Sequence, residues 1–538
     1  MRFFSFVVVL YCFALSRAFV FPATIRPPGC RCSTLQHMRS FGFGKNGKGE
    51  EAPNSIRSNV TLPNGMMLEF ELCNAIASIS SEAWNACLPT EEVGLGSAFL
   101  DHSWLRCLEE SKCASPQTGW VPQHVSIKMD GEAKGFIPLY IKGHSSKSDD
   151  TGTPEVLCSS VPFPSQRCTR FALLSVGEFI FDSSWAEAAY QNKIDYYPKL
   201  LVAVPFTPAT GARLLWHGSI YANYSNAEIQ QLRCAAAMFL RQVAAANQIS
   251  SVHINFLTDE EATDLAGPLL GGKQNKQKGV QKRVGSLLER FSLKDDYIRR
   301  SSIQYHWTNR NAKNNGKPYR SFDEYLSFFK SKRRINIRRE RRKVADKGIR
   351  IDTVRGRDIL EYPGLMKRMF EIYQSTIQKM YWGRQYLSLD FFEKLAESDF
   401  VDNLCFVCAR YNSTDEKLRA EDVFAGTFNV VKDKVFYGRY WGCLGDEVKN
   451  LHFETCYWTA IEYCIENGLQ RMEPGAGGGD YKWARGFDAA LIHSVHYIES
   501  PGLRRAISQF VEYETENNLE VAKYLQSRRP TALSDRTM

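Results

Sequence analysis

The chain runs to 538 residues, of which 44% are hydrophobic and 24% charged. That balance is too apolar for a disordered protein, and the length exceeds what one core fills, so two globular units are expected. The formal net charge of +9 does not mark a general nucleic-acid binder: the first 49 residues hold seven basic side chains and no acid, which leaves +2, and residues 330–343 carry nine cations against Glu340 alone, so the remainder is net acidic.

In chain order, Arg2 precedes an apolar run over 3–15, and Ser16-Arg17-Ala18 puts small residues where a signal peptidase reads, so 1–18 is predicted to be a cleaved signal peptide. The run is too short to span a bilayer, and no stable membrane insertion is expected once it is removed. From Phe19 to Gly49 five basic residues and no acid follow, which makes 19–50 a transit-like segment. A signal core followed by such a segment resembles the two-part leader of plastid proteins imported through an endomembrane system. The expected location is therefore a plastid (chloroplast), with secretion as the alternative. Of fifteen cysteines, Cys12, Cys30 and Cys32 fall in this leader and the rest are scattered singly, which suits a reducing compartment. Cys405 and Cys408 are three apart on a predicted strand, so they face opposite sides and form no metal pair.

The first unit, 65–262, reads as helix 99–111, strands 124–129, 135–141 and 177–182, helix 184–191, strand 200–205, helix 227–246 and strand 252–256, with a polar insertion at 145–176. A segment rich in Gly, Lys and Gln marks a linker at 263–300. The second unit, 301–515, repeats the order: helices 359–378 and 389–397, strands 404–409, 423–431 and 434–441, helix 451–467 and strand 470–473. A tail at 516–538 closes the chain. Both units are mixed α/β, with antiparallel hairpins leading into a strand-helix-strand crossover.

Ahead of that repeat lies the basic segment. Ser321 and Glu324 form a capping-box pattern, Phe322, Leu326, Phe329, Ile337 and Val344 keep one stripe apolar, and Gly348 ends the predicted helix. Its cations repel one another, and an anionic partner relieves that: a CoA diphosphate, a tRNA backbone or an acidic lipid surface, with a solvated face as the plain alternative. Arg338, Arg339, Arg341 and Arg342 are the candidate anion-binding residues.

The densest signal comes near the C-terminus. Tyr437-Gly438-Arg439-Tyr440-Trp441-Gly442, Leu451-His452-Phe453-Glu454, Glu473-Pro474-Gly475-Ala476-Gly477 and Arg485-Gly486-Phe487 set polar and aromatic side chains around glycines at the ends of the second crossover, where ligands sit in such folds. Neither a P-loop nor a G-x-S-x-G nucleophile motif is present. The glycines Gly475 and Gly477 read as backbone freedom beside a ligand.

With Gly119-Trp120, Pro138-Leu139-Tyr140, Gly177-Glu178-Phe179-Ile180-Phe181-Asp182, Tyr197-Pro198-Lys199 through Thr207-Pro208, Tyr305-His306-Trp307-Thr308-Asn309 and Arg338-Arg339-Glu340-Arg341 added, the chain resembles the FemAB-like (peptidoglycan biosynthesis/recognition) branch of the acyl-CoA N-acyltransferase (GNAT) superfamily. It departs after Gly477, where Gly478-Gly479-Asp480-Tyr481-Lys482 stands in place of a stretch containing Gln, Glu and His. The resemblance implies tandem GNAT-like domains and a transferase. The donor it implies is acyl-CoA, held between splayed strands, or an aminoacyl-tRNA in the manner of Fem-type relatives. The acceptor would be a small-molecule or peptide amine.

Such chemistry needs a base for the amine proton and charge to meet the oxyanion. Glu454 and His452, on the first turns of the second crossover helix, and Glu473, at the end of the next strand, are the candidate catalytic groups. Arg439, Tyr440, Trp441, His306, Trp307, Lys482 and Arg485 are candidate substrate contacts, and Gly475 and Gly477 join the basic helix as candidate donor contacts. No metal is expected. The competing readings are a hydrogen-bonded His452 at a core edge, a Glu454 that serves the helix dipole, and a non-catalytic protein that recognises a ligand on the same scaffold.

Overall fold

The computed structural model describes residues 57–89, 97–143, 177–180, 182–269, 296–311, 315–379, 385–412, 417–477 and 479–529. The expected leader and the insertion at 145–176 lie outside them. Sixteen strands are described: β1 Arg57–Thr61, β2 Met67–Cys73, β3 Trp120–Pro122, β4 His124–Met129, β5 Glu132–Ile137, β6 Leu139–Lys142, β7 Lys199–Val202, β8 Leu215–Trp216, β9 Ser251–Leu257, β10 Ile298–Thr308, β11 Ile349–Arg355, β12 Leu404–Tyr411, β13 Val423–Lys432, β14 Val435–Cys443, β15 Arg471–Glu473 and β16 Asp488–Ile498. They form a five-stranded sheet, β1-β2-β4-β5-β8, and an eleven-stranded sheet, β11-β12-β13-β14-β15-β10-β16-β9-β7-β6-β3.

Each half carries the crossover expected from its sequence. In the first, β6 and β7 are antiparallel, and β7 then pairs parallel to β9. The helix Asn226–Ala246 joins them, opened by a reciprocal capping box between Ser225 and Glu228. In the second, β12, β13 and β14 form antiparallel pairs and β14 runs parallel to β15. A helix that starts at Leu451–Phe453, passes through a π-helical turn at Glu454–Trp458 and ends with Thr459–Glu466 makes that connection. The fold is mixed α/β, with one strand-helix-strand crossover in each half.

The sheet does not stop between the halves. β16, from residues expected to belong to the second unit alone, pairs along β10 and also along β9 of the first. β10 reaches β15 through Trp307 and Thr308. An apolar core crosses the same seam: Trp104 packs edge-on against Phe391 at 5.1 Å, and Phe99 against Tyr437 at 5.1 Å.

Several expectations are corrected. None of the described residues of the expected strand at 177–182 lies in a strand, since Gly177 and Phe179 take φ of +80° and +58°, outside extended backbone. The basic helix is two helices, Phe322–Ser327 and Ser331–Ala345, with Lys330 extended at the second N-cap. Glu324 reaches back to the Arg320 N–H, at 2.6 Å, instead of closing a capping box on Ser321. The expected helix 359–378 begins as a 3-10 turn, Gly356–Glu361, and restarts as Leu365–Lys379 beyond Pro363 and Gly364. The tail does not begin at 516, because the helix Pro501–Ser527 runs through that point. Strands β1, β2, β3, β8, β10, β11 and β16 and this last helix have no counterpart among the predicted elements.

The ten described cysteines are free thiols. Cys405 and Cys408 pack into different cores on opposite faces of β12. Among the described residues no helix is long and apolar enough to cross a membrane.

Candidate functional site

The pairing of β14 with β15 runs from Val435↔Arg471 to Tyr437↔Glu473 and then ends. Two features of the sequence end it. Pro474 offers no N–H to continue the ladder, and Gly475 takes φ +83° with its Cβ position 3.2 Å from the carbonyl oxygen of Gly438, so any side chain there would be strained. On the other edge of β14 the register with β13 steps from Asn429↔Gly438 to Phe428↔Tyr440, so Arg439 sits in a β-bulge. The strand end therefore presents Glu473 and Arg439 to the seam.

Glu473 is 4% exposed. Its Oε1 lies 3.0 Å from Arg471 Nη2, and its Oε2 accepts from the backbone N–H of Thr210 at 3.4 Å and stands 3.9 Å from His306 Nε2. Burial lowers the His306 pKa, and the Glu473 carboxylate works against that shift. Arg439 donates to the Phe206 carbonyl at 2.6 Å and to Thr207 Oγ1 and the Tyr440 hydroxyl at 3.3 Å each. Its guanidinium lies over the rings of Phe99 and Tyr440.

The first half thus contributes the stretch after β7 to this site. That stretch is held from behind by Arg213, fully buried, which donates to the carbonyls of Ala209, Gly211, Ala212 and Asn255 at 2.7–3.1 Å. Gln304, on β10, donates to the Pro208 carbonyl at 3.0 Å. Arg471, Thr210, Gln304 and Arg213 were not singled out from the sequence. The run Pro205-Phe206-Thr207-Pro208 is the one signal in the sequence for this wall.

A second cluster surrounds His452. Its ring lies 5.3–6.3 Å from those of Trp441, Phe453, Tyr457 and Tyr481. Burial, then the charges of Arg485 and Lys482, bring its pKa down to about 4, so the imidazole is neutral at pH 7. Lys482 donates to the Gly475 carbonyl at 2.6 Å, and burial brings its pKa down to about 8. The Lys482 charge also acts on His306, which ties this cluster to the Glu473 end. Arg485 stacks over Phe453 at 3.5 Å and donates to the Tyr481 carbonyl at 2.9 Å.

Other candidates lie elsewhere. The Glu454 carboxylate is turned to the basic helix, where it accepts from Arg341 Nε at 3.0 and 3.2 Å and from Thr459 Oγ1 at 3.2 Å. Burial raises its pKa and Arg341 opposes the rise. Arg341 also donates to Glu462 at 2.7 Å, so its guanidinium is committed internally and not to a ligand. Trp307 is 1% exposed in the aromatic core with Tyr319 and Tyr325. Arg338 pairs with Asp323 and Arg339 with Asn336 at the surface, and Arg342 is exposed. Gly477 takes φ +79° with open space around its Cβ position. Among the described residues no group of His, Cys, Asp or Glu is placed to hold a metal ion.

Each half thus carries one crossover, and polar groups gather where the second one opens. The family profile for FemAB-like proteins, described as peptidoglycan biosynthesis/recognition, matches residues 75–148 and 172–532. The chain belongs to that family.

Among solved structures it is similar to FemX, at 13% identity and TM-score 0.40, over 81% of this chain and 98% of that one. It is also similar to a tandem GNAT protein from the clavulanic acid biosynthesis pathway, at 10% identity and TM-score 0.36, over 81% and 99%. A third is L-PGS from Bacillus licheniformis, at 7% identity and TM-score 0.34, over 60% and 84%. No curated protein matches the chain in sequence.

Proposed function

We propose that the protein transfers an acyl or aminoacyl group to an amine, with the reaction centred where β14 and β15 part. The observation that carries this reading is Glu473: a buried carboxylate at the end of a parallel strand pair, facing His306 and the first half's backbone at Thr210. In the step we assign, the amine nitrogen attacks the donor's ester or thioester carbonyl and a C–N bond forms. Glu473 takes the amine proton, and the C–O or C–S bond breaks as the leaving oxygen or sulfur is released. Arg439 and Lys482 supply positive charge on the two flanks of that end.

The basic helix is the proposed docking element for the donor. Ser331–Ala345 has 15 residues, a length of about 22 Å at 1.5 Å per residue, which exceeds one CoA diphosphate and favours the run of phosphates on an aminoacyl-tRNA. It also abuts the His452 cluster, since Arg333 donates to the Ala484 carbonyl at 3.1 Å and Arg485 lies 3.6 Å from Glu340. The acceptor is a small-molecule or peptide amine. A binding panel of acyl-CoAs and charged tRNAs on the purified protein tests the donor: saturable, salt-sensitive binding of the tRNA is expected, and binding of neither would leave the scaffold as a ligand-recognition protein. A plastid location is proposed from the leader's composition alone. Residues 1–50 fused to a reporter should bring it to the plastid, and recovery from the medium would overturn that.

A further inference from the structure

A cavity of about 530 Å³ opens at the foot of the first half, where the turns 194–196 and 248–251 meet the end of β16. It lies at the start of strands β7 and β9, whereas the Thr210 loop and Glu473 meet at their far end, where Gly211 N–H donates to the Phe256 carbonyl. The seven residues of β9 separate the two places by about 20 Å at 3.3 Å per residue.

The cavity is braced. Ser250 Oγ donates to the carbonyls of Tyr196 and Pro198 at 2.6 and 3.1 Å, and the Glu499 N–H donates to the Ser250 carbonyl at 2.9 Å. Behind its wall the Tyr196 hydroxyl donates to Asp182 at 2.7 Å, and Asp182 and Glu178 close on the buried Lys199 ammonium at 2.6 and 2.5 Å. Turns fixed in this way keep their shape without an occupant.

Ile194, Ile249, Ile498 and Leu503 give the cavity apolar lining, and Asp195 and Glu499 add two exposed carboxylates. Neither carboxylate has an ion-pair partner among the described residues. Glu499 accepts from the Tyr497 hydroxyl at 2.8 Å. Arg504, which belongs to the same corner, is engaged elsewhere: it donates to the Ile498 and Glu499 carbonyls, lies over the Tyr497 ring and stands 3.8 Å from Asp296. Two carboxylates without ion-pair partners at an apolar, pre-shaped cavity favour a cation with a hydrocarbon body. A divalent metal is disfavoured, since no third carboxylate, His or Cys converges there.

We propose that this cavity is a second binding site, separate from the Glu473 end, for a small organic ammonium. It stands independently of the transferase reading. Titration of the full chain with n-hexylammonium, n-hexanol and hexanoate by calorimetry tests it. The ammonium alone should bind saturably at one site, and the double variant Asp195→Asn, Glu499→Gln should weaken it about tenfold, at the few-fold worth of each exposed charge. Glu473→Gln should leave this affinity unchanged. The proposal is overturned if hexanol or hexanoate binds as well, if the double variant binds like the parent, or if Glu473→Gln abolishes binding.

Discussion

At the scale of single residues, burial separates groups that sequence spacing had placed together. Glu454 and His452 are two apart and both seemed able to face one crevice. Two positions along a helix turn a side chain by about 200°, so Glu454 turns to Arg341 while His452 turns to the aromatic rings. The place of Glu473 at a strand end was legible because Pro474-Gly475 follows it. The consequence for His452 has a definite sign. With a folded pKa of about 4 against about 6.5 unfolded, the unfolded chain binds the extra proton between those values, so the group costs stability as pH falls from 6.5 toward 4. His452→Gln should therefore shrink the loss of stability between pH 7 and pH 5 in denaturant titrations. An unchanged loss would mean that the ring is not buried as described.

Elements with strong local patterns came through the sequence nearly intact: helix 389–397, the hairpin of β13 and β14, and both crossover helices. Strands β10 and β16 did not. Their buried faces carry Arg300, Gln304, Ser494 and His496, which break the apolar alternation that identifies a strand. Those groups are tolerated because each finds a partner, as His496 Nδ1 does with His253 Nδ1 at 2.8 Å. The basic helix was legible in charge but not in use. Replacing Arg338, Arg339 and Arg342 by Gln should weaken tRNA or CoA binding and flatten its salt dependence by about 0.7–0.9 per lost phosphate contact. Arg341→Gln should act otherwise, leaving Glu454 and Glu462 unpaired and costing about 1–3 kcal/mol of stability. If Arg341→Gln instead weakened binding with stability intact, the assignment of that guanidinium to the interior would fall.

For the whole molecule, the continuous sheet and the shared aromatic core predict that the halves unfold together. Chemical denaturation should show one transition by fluorescence and circular dichroism alike, and Trp104→Ala should lower stability by about 3–5 kcal/mol through the cavity it leaves. Two separated transitions would show that the halves are independent. The seam matters because it builds the site: strand order within each half was legible, but that the loop after β7 would wall the second half's strand end was not, since no local pattern encodes a contact between residues 263 positions apart such as Thr210 and Glu473. Whether Glu473 takes the amine proton is decided by single-turnover kinetics of Glu473→Gln with a donor from the binding panel and a cognate amine. Turnover should fall about 10²- to 10⁴-fold with donor affinity nearly unchanged; full turnover in that variant would rule Glu473 out as the base.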